Sequence, residues 1–268
     1  MVGWKSKRGP EFHREVTMRT CLFALLLIGF AVPSETAIQA EAVTYGKGET
    51  VLQGQIFYDD ATQTKRPGVL VVHEWWGLND YAKERAQALA QLGYIALAVD
   101  LYGEGKFTEH PQEAMEWSNA VDDVLREERF QFALDLLQAH EFVDNENLAA
   151  IGYCFGGGTV LRLAAVGIDL RGVVSFHGSL PTSAIEPGTV RAKILVCHGA
   201  DDPFTESGQV EKFQRVFTEA GADWQFISYG GAKHSFTVKD AEKRGIPALE
   251  YNEAADRRSW AAMLAFFD

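Results

Sequence analysis

Short runs of apolar residues recur along the chain and are separated by more polar stretches. The main runs lie at residues 69–72, 94–99, 148–151, 172–176, 194–197 and 225–229. Each is too short to be a helix, and most lack an alternation of apolar and polar positions. This pattern is typical of parallel strands that are buried on both faces of a sheet.

Stretches with helical spacing lie between these runs. The predicted helices are residues 80–92, a segment with Val121, Leu125, Phe132 and Leu136 on one face, residues 210–220, and a closing helix at 248–267. Strands that alternate with helices predict an α/β fold, with a mostly parallel central sheet and helices on both faces.

Two apolar segments, 43–45 and 51–58, come first and have no helix between them. They predict an antiparallel edge hairpin. Residues 43–268 contain no repeat, low-complexity stretch or linker, which predicts a single domain. The least regular segment, residues 102–110, is expected to form a loop over the functional site.

The N-terminal segment resembles a signal peptide. Residues 21–32 form an apolar run that follows basic residues and is too short to span a bilayer. Cleavage is expected after Ala40, which would remove residues 1–40, or after Ala42, and an over-extended gene start would account for residues 1–17. The alternatives are a buried helix or a membrane anchor. Cleavage predicts a periplasmic or secreted protein without stable membrane anchoring.

Charge excludes one class of function. Asp and Glu number 37 against 25 Lys and Arg, a formal net charge of −12. Nucleic-acid binding needs clustered cations to neutralise phosphates, so an acidic chain of this kind is not expected to bind nucleic acid.

Residues 148–158 read LAAIGYCFGGG and carry the clearest chemical signal. An apolar strand runs into the pattern G-x-C-x-G around Cys154, and a helical pattern follows. This is a nucleophile elbow with Cys in place of Ser, in which the following helix favours a thiolate and the oxyanion formed after attack. The alternatives are a glycine-rich turn with an incidental buried Cys, or a phosphate cradle.

The rest of the chain supplies candidates for the other two members of a triad, in the order nucleophile, acid, base. Asp201 and Asp202 follow the strand at 194–197, and His234 follows the strand at 225–229. Asp201 is the preferred acid, because Asp202 adjoins Pro203 and is expected to serve the turn.

Taken together, these motifs resemble the dienelactone hydrolases, an α/β-hydrolase family with a Cys-His-Asp triad. The matching segments are VVHEWWGLN at 71–79, DLYG at 100–103, GYCFGG at 152–157, GADD at 199–202 and HSF at 234–236. The resemblance extends from about residue 43 to residue 267. It implies Cys154 as the nucleophile, His234 as the base and Asp201 as the acid that orients it.

The resemblance also implies roles for three neighbours. Glu74 would modulate the thiol, and the backbone N–H groups of Trp75 and Phe155 would form the oxyanion hole. In the family two arginines bind a substrate carboxylate. Val238 stands at one of these positions, and the other has no clear counterpart. A neutral ester or lactone therefore fits as well as dienelactone.

Several residues remain open to a structural interpretation. The candidate pocket residues are Trp76, Tyr102, Ser235 and Phe236, although aromatic side chains are more often part of a core. Glu74 could instead form a structural salt bridge. A metal cluster of His73, His177 and His198 is an alternative without ligand spacing to support it. Cys197 is expected to be a buried small hydrophobe.

The sequence therefore predicts a hydrolase of a small-molecule ester or lactone that forms a thioester on Cys154. The chemistry requires no metal or cofactor, and we expect a monomer, with a dimer as the alternative. The rival functions are a cysteine peptidase on the same fold and a non-catalytic binding or thiol-sensing protein.

Overall fold

The computed structural model describes residues 38–268, whose strands form a single eight-stranded sheet. The strands are β1 (Ile38–Tyr45), β2 (Leu52–Asp59), β3 (Arg66–Val72), β4 (Ile95–Val99), β5 (Val143–Tyr153), β6 (Gly172–Phe176), β7 (Lys193–Gly199) and β8 (Trp224–Tyr229). Their order across the sheet is β1-β2-β4-β3-β5-β6-β7-β8. The pairs β1–β2 and β2–β4 are antiparallel, and the other five pairs are parallel. The predicted mostly parallel sheet with an antiparallel edge hairpin is confirmed.

Residues 38–268 form six α-helices and a short 3-10 helix at Ala241–Arg244. The α-helices are α1 (Asp80–Gln91), α2 (Pro111–Ala120), α3 (Asp123–Ala139), α4 (Phe155–Ala165), α5 (Gln209–Glu219) and α6 (Glu253–Phe267). All of them except α2 pack on the two faces of the sheet. Alternate residues of each central strand face opposite sides. Leu70 and Val72 of β3 pack in one core with α3, α4 and α5. Val69 and Val71 pack in the other core with α1 and α6.

The edge hairpin is longer than the sequence predicted. β1 begins at Ile38, which pairs with Asp59, whereas the apolar pattern placed its start at residue 43. Cleavage after Ala40 would remove the first three residues of β1. The apolar run at 21–32 lies outside the described residues, so the signal peptide stays a prediction. None of the helices within residues 38–268 is both long and apolar enough to cross a membrane.

The boundaries around α3 differ from the sequence pattern. Val121 was predicted on the same helical face as Leu125, but it lies before α3 and ends α2 in an extended conformation. Asp122 starts the new helix, because its side chain accepts a hydrogen bond of 2.9 Å from the Leu125 N–H. The apolar pattern used to predict one helix therefore crosses the boundary between α2 and α3.

The last helix also starts later than the predicted residue 248. The side chain of Asn252 accepts a hydrogen bond of 3.1 Å from the Ala255 N–H, so α6 begins at Glu253. The N-cap residue, rather than the apolar pattern, sets this boundary.

Residues 102–110 form a connection without helix and with only an isolated bridge, from Phe107 to Gly77. The Thr108 N–H donates to the Trp76 carbonyl at 2.8 Å, and the Leu78 N–H donates to the Lys106 carbonyl at 3.0 Å. These bonds hold the segment against the end of β3, where the predicted site lies.

The turn between β5 and α4 is packed tightly against the end of β3. The Gly156 N–H donates to the His73 carbonyl at 3.1 Å. A Cβ atom on Gly156 would lie 2.3 Å from the Val72 carbonyl oxygen, and one on Gly152 would lie 2.1 Å from the Gly156 carbonyl oxygen. Both contacts involve backbone, which cannot move aside cheaply, so this turn requires glycine at both positions.

Gly156→Ala should therefore destabilise the fold, because the new methyl group forces the elbow away from β3. We expect a loss of about 1–3 kcal/mol in the free energy of unfolding, or a Tm lower by several degrees. Gly230→Ala is the matched control, since a Cβ there meets nothing within 4 Å and its φ is not positive. Thermal melts that show equal Tm values for the two variants would contradict this packing argument.

Candidate active site

Polar residues follow the carboxyl ends of five parallel strands and meet at one edge of the sheet. They are Glu74 after β3, Cys154 after β5, His177 after β6, Asp202 after β7 and His234 after β8. Ligand and catalytic sites of open α/β sheets form at this edge. The topology therefore brings together side chains that are up to 160 residues apart in the chain (234 − 74 = 160).

Cys154 lies at the apex of the predicted strand–turn–helix. Its φ of +53° falls in the left-handed region, which is costly for a residue with a side chain. Its N–H donates to the Phe176 carbonyl at 3.0 Å, and its thiol is free and partly exposed. The strained turn presents the sulfur at the surface instead of burying it.

The His234 ring lies within hydrogen-bond distance of both Cys154 and Asp202. Its Nε2 lies 3.1 Å from the Cys154 Sγ, and its Nδ1 lies 2.7 Å from the Asp202 Oδ2. Burial lowers the pKa of His234, but the charge of Cys154 and the hydrogen bond to Asp202 outweigh it and raise the pKa to about 10. Burial also opposes ionisation of Asp202, yet the hydrogen bond from His234 holds the pKa of Asp202 below its usual value. The arrangement favours a protonated, positively charged His234 ring between the sulfur and Asp202.

The choice of Asp201 over Asp202 was wrong. Asp201 is exposed, and its backbone N–H donates to the Ala232 carbonyl at 3.0 Å. Asp202 is buried and performs two tasks, because its Oδ1 accepts from the Phe204 N–H at 2.9 Å while its Oδ2 bonds His234. The role in the turn that was assigned to Asp202 is real, but it occupies only one carboxylate oxygen.

Glu74 is buried at the same edge of the sheet as Cys154 and His234. Its Oε1 accepts a hydrogen bond of 2.8 Å from the Ser235 hydroxyl, and burial raises the pKa of the carboxyl group. Within residues 38–268 it forms no salt bridge, so the structural ion pair considered for it is not present there. Ser235 itself has a φ of +55°, a second strained residue in the cluster.

The four predicted pocket residues have different surroundings in the structure. Trp76 and Ser235 line a cavity of about 490 Å³ that Glu74 also borders, whereas Cys154, Asp202 and His234 are not among its lining residues. Tyr102 does not line it, and its hydroxyl donates to the Trp75 carbonyl at 3.0 Å. Phe236 is fully buried in the core, so its placement in the pocket was wrong. The inward turn of the chain after Ser235 explains this.

Sequence reasoning missed three side chains around the thiol and the cavity. The Phe204 ring packs edge-on against His234 at 4.9 Å and is 59% exposed, so it forms an apolar rim. The Arg126 guanidinium lies 4.7 Å from the centre of the Phe155 ring, and Arg244 lies 4.8 Å from the ring of Trp76. None of these residues stands in a recognisable motif, so no local signal could have identified them.

The two N–H groups implied for the oxyanion hole belong to residues at the same edge. Phe155 is the first residue of α4, so its N–H has no acceptor within its own helix. Trp75 is the third residue after Val72, where β3 ends. Both positions are compatible with donation to a bound oxyanion.

The histidines considered for a metal have other surroundings. The His73 Nδ1 lies 2.5 Å from the Glu74 carbonyl oxygen, and its Nε2 accepts from the Leu101 N–H at 3.3 Å. His198 stacks at an angle on Phe226. Among residues 38–268, no group of three or more His, Cys, Asp or Glu side chains is arranged to hold a metal ion.

Comparison with known proteins identifies the family. The profile described as "Dienelactone hydrolase family" matches residues 53–268. The chain belongs to the dienelactone hydrolase family. It is therefore an α/β-hydrolase enzyme of the dienelactone hydrolase kind, as the motifs predicted.

Individual relatives agree with this membership. A solved structure called m3DLH is 39% identical, covers 87% of this chain and 98% of its own, and superposes with a TM-score of 0.82. A dienelactone hydrolase-like promiscuous phosphotriesterase from metagenomic libraries is 40% identical over 86% of this chain and 98% of its own, also with a TM-score of 0.82. Protein usf of Aquifex pyrophilus is 27% identical over 75% of this chain and 87% of its own length.

The two neighbouring aspartates of this hydrolase give a matched test of the site geometry. Asp202→Asn removes the charge next to the His234 Nδ1, so the pKa of His234 should fall from about 10 by roughly one to three units. Asp201→Asn should leave it unchanged, because that residue is exposed and the His234 Nδ1 bonds Asp202 instead. An NMR titration of the His234 ring measures both. A larger fall in Asp201→Asn would restore the original assignment.

Proposed function

We propose that this hydrolase cleaves a small ester or lactone through a covalent thioester on Cys154. The observation that carries the proposal is the pair of contacts at His234, 3.1 Å to the Cys154 sulfur and 2.7 Å to Asp202. A nucleophile within reach of a base, which is oriented by a third group, is the arrangement that covalent acyl transfer requires.

In the first half-reaction, His234 holds the proton of the thiol and the Cys154 sulfur attacks the carbonyl carbon. The carbonyl oxygen becomes an oxyanion, for which the N–H groups of Trp75 and Phe155 are the proposed donors. Each such donor contributes on the order of 3 kcal/mol to lowering the barrier. Collapse of this intermediate breaks the carbon–oxygen bond. The departing alkoxide takes the proton from His234 and leaves a thioester.

In the second half-reaction, His234 takes a proton from water, and the resulting hydroxide attacks the thioester. Collapse releases the acid and returns the sulfur as a thiolate beside protonated His234. Asp202 keeps the imidazole oriented and stabilises its charged form throughout. With a lactone the alcohol and acid remain in one molecule, so ring opening needs no separate site for a leaving group.

Glu74 is proposed to modulate this chemistry through its charge. Burial favours the protonated form of its carboxyl group, as the raised pKa indicates. A neutral group at this position does not repel a thiolate or an oxyanion nearby, whereas an ionised one would. The hydrogen bond from Ser235 holds the carboxyl group in the wall between the thiol site and the adjoining cavity.

The charge distribution favours neutral substrates over carboxylated ones. Val238 occupies the position of one family arginine and lines the cavity without any charge. Arg126 and Arg244 lie near site aromatics, but they pair with Asp123 at 2.7 Å and Glu109 at 3.3 Å. Arg85 also lines the cavity and pairs with Asp256 at 2.7 Å, and Lys239 is a further lining cation. Since uncharged Val238 replaces the family arginine, we expect neutral esters and lactones to react at least as well as carboxylated dienelactone.

Other functions on the same site remain as rivals. Phosphotriester cleavage is a second candidate, because a relative with 40% identity is described as a promiscuous phosphotriesterase. A cysteine peptidase would use the same residues on an amide. A thiol sensor needs a resolving cysteine, and Cys197 is fully buried with its pKa raised to about 12 by that burial.

Two cysteine variants test the proposed nucleophile. Cys154→Ala should lower kcat for p-nitrophenyl esters and small lactones by about a thousandfold or more, because the attacking atom is removed. Cys197→Ala is the matched control and should retain activity, since its side chain lies in the core. The panel should also contain a peptide and a phosphotriester.

Ester and lactone turnover that survives in Cys154→Ala would refute the proposal. Cleavage of the peptide or the phosphotriester alone would assign the site to that rival chemistry.

A further inference from the structure

A second histidine in the site is bound to the nucleophile's own backbone. His177 directly follows β6 and is completely buried. Its Nδ1 accepts a hydrogen bond of 3.1 Å from the Cys154 N–H, which also donates to the Phe176 carbonyl at 3.0 Å. The mechanism described above does not use this ring.

The other ring nitrogen reaches the loop that carries the base. The His177 Nε2 lies 2.8 Å from the Thr237 Oγ1, and Thr237 follows His234 by three residues. The Thr237 hydroxyl is also 2.6 Å from the Tyr81 hydroxyl, and the Thr237 carbonyl accepts from Arg85 at 2.8 Å. The His177 imidazole therefore connects the elbow to Thr237 of the base loop, the segment after β8 that carries His234.

These partners determine the protonation of the ring. A backbone N–H can only donate, so Nδ1 must be the unprotonated nitrogen and Nε2 must carry the proton that Thr237 accepts. In a charged imidazolium the His177 Nδ1–H and the Cys154 N–H would both be donors facing each other. Burial lowers the pKa of His177, and the nearby charge of His234 lowers it further. The neutral form is therefore the one that fits both contacts.

Backbone strain indicates that the side chain matters here. The φ of His177 is +40°, a conformation that glycine adopts without penalty and other residues adopt at a cost. Burying a polar ring costs further free energy. A glycine would avoid both costs, whereas the imidazole is the group that joins the two catalytic segments.

We propose that His177 is a positioning residue that fixes the distance between the Cys154 sulfur and the His234 ring by tying the elbow to the base loop through Thr237. This inference rests on the proposed function, because it assumes that Cys154 and His234 react as a pair. A misplacement of about 1 Å can cost up to a hundredfold in rate, so a bridge of this kind has a measurable effect.

Substitutions at the far end of the bridge test it with little disturbance to the elbow. Thr237→Val keeps the shape but removes the hydroxyl, and it should lower kcat about tenfold with little change in KM. Thr237→Ser restores a hydroxyl and should recover most of the lost rate. His177→Asn keeps an acceptor for the Cys154 N–H and tolerates the left-handed backbone, but it is too short to reach Thr237. It should therefore behave like Thr237→Val.

The pH dependence of Cys154 alkylation by iodoacetamide supplies a readout without substrate. A thiolate–imidazolium pair held at a longer distance forms less readily. The pH at which the alkylation rate is half-maximal should therefore rise by about half a unit or more in Thr237→Val and His177→Asn. The titratable or charged groups that face His177 are His234, Arg85, His198, Tyr81 and Tyr153. All five remain in both variants, so the comparison isolates the bridge.

Wild-type kcat together with a wild-type alkylation profile in both Thr237→Val and His177→Asn would overturn the proposal. Thermal melts accompany each variant, and the loss of rate should exceed any change that lower stability produces. Failure of the proposed function is distinguishable, because it would appear as full activity in Cys154→Ala, whereas the alkylation profile requires no turnover.

Discussion

The close approach of the elbow backbone to the end of β3 is the constraint on which the site depends. Gly156 lies against the carbonyl oxygens of Val72 and His73, at distances that exclude any side chain. This contact fixes where α4 begins and forces Cys154 into a strained conformation at the surface. The position of the sulfur therefore follows from sheet packing, and the other residues of the site are arranged around it.

Electrostatics determine what the fixed sulfur can do. His234 is buried between the thiol and Asp202, so each contact acts with little screening by water. The carboxylate supports a positive charge on the imidazole, which in turn supports a negative charge on sulfur. Glu74 lies close by with a raised pKa, and its neutral form does not oppose that charge. The pKa values of the two carboxyl groups shift in opposite directions. The hydrogen bond to His234 outweighs burial at Asp202, whereas burial outweighs the hydrogen bond from Ser235 at Glu74.

Sequence reasoning located the features that short motifs encode. The buried strands, the elbow at Cys154 and the base His234 each have a local signature, since strand ends and glycine spacing are readable from a few residues. The choice between Asp201 and Asp202 could not be predicted from the sequence, because it depends on which carboxylate the turn directs inward. Phe236 was misplaced for a similar reason, since a single strained residue, Ser235, redirects the chain into the core.

Contacts between segments that are distant in the chain could not be predicted from a single sequence. Phe204 meets His234 only when β7 and β8 are adjacent, and His177 meets Cys154 only when β5 and β6 are adjacent. Arg126 reaches the Phe155 ring only because α3 lies beside α4. Helix boundaries set by capping side chains, as at Asp122 and Asn252, also overrode the apolar pattern. Periodicity reports which face of an element is buried, whereas a cap reports where the element starts.

The central claim is that the acyl group resides on Cys154 during turnover. Mixing the enzyme with a slowly deacylating ester, quenching in acid within milliseconds to seconds, and mapping the adduct by peptide mass spectrometry tests this most directly. We expect one acyl group on the peptide containing Cys154, bound in a linkage that hydroxylamine releases, and none on Cys197. Burst release of alcohol with the acyl group on another residue would contradict it.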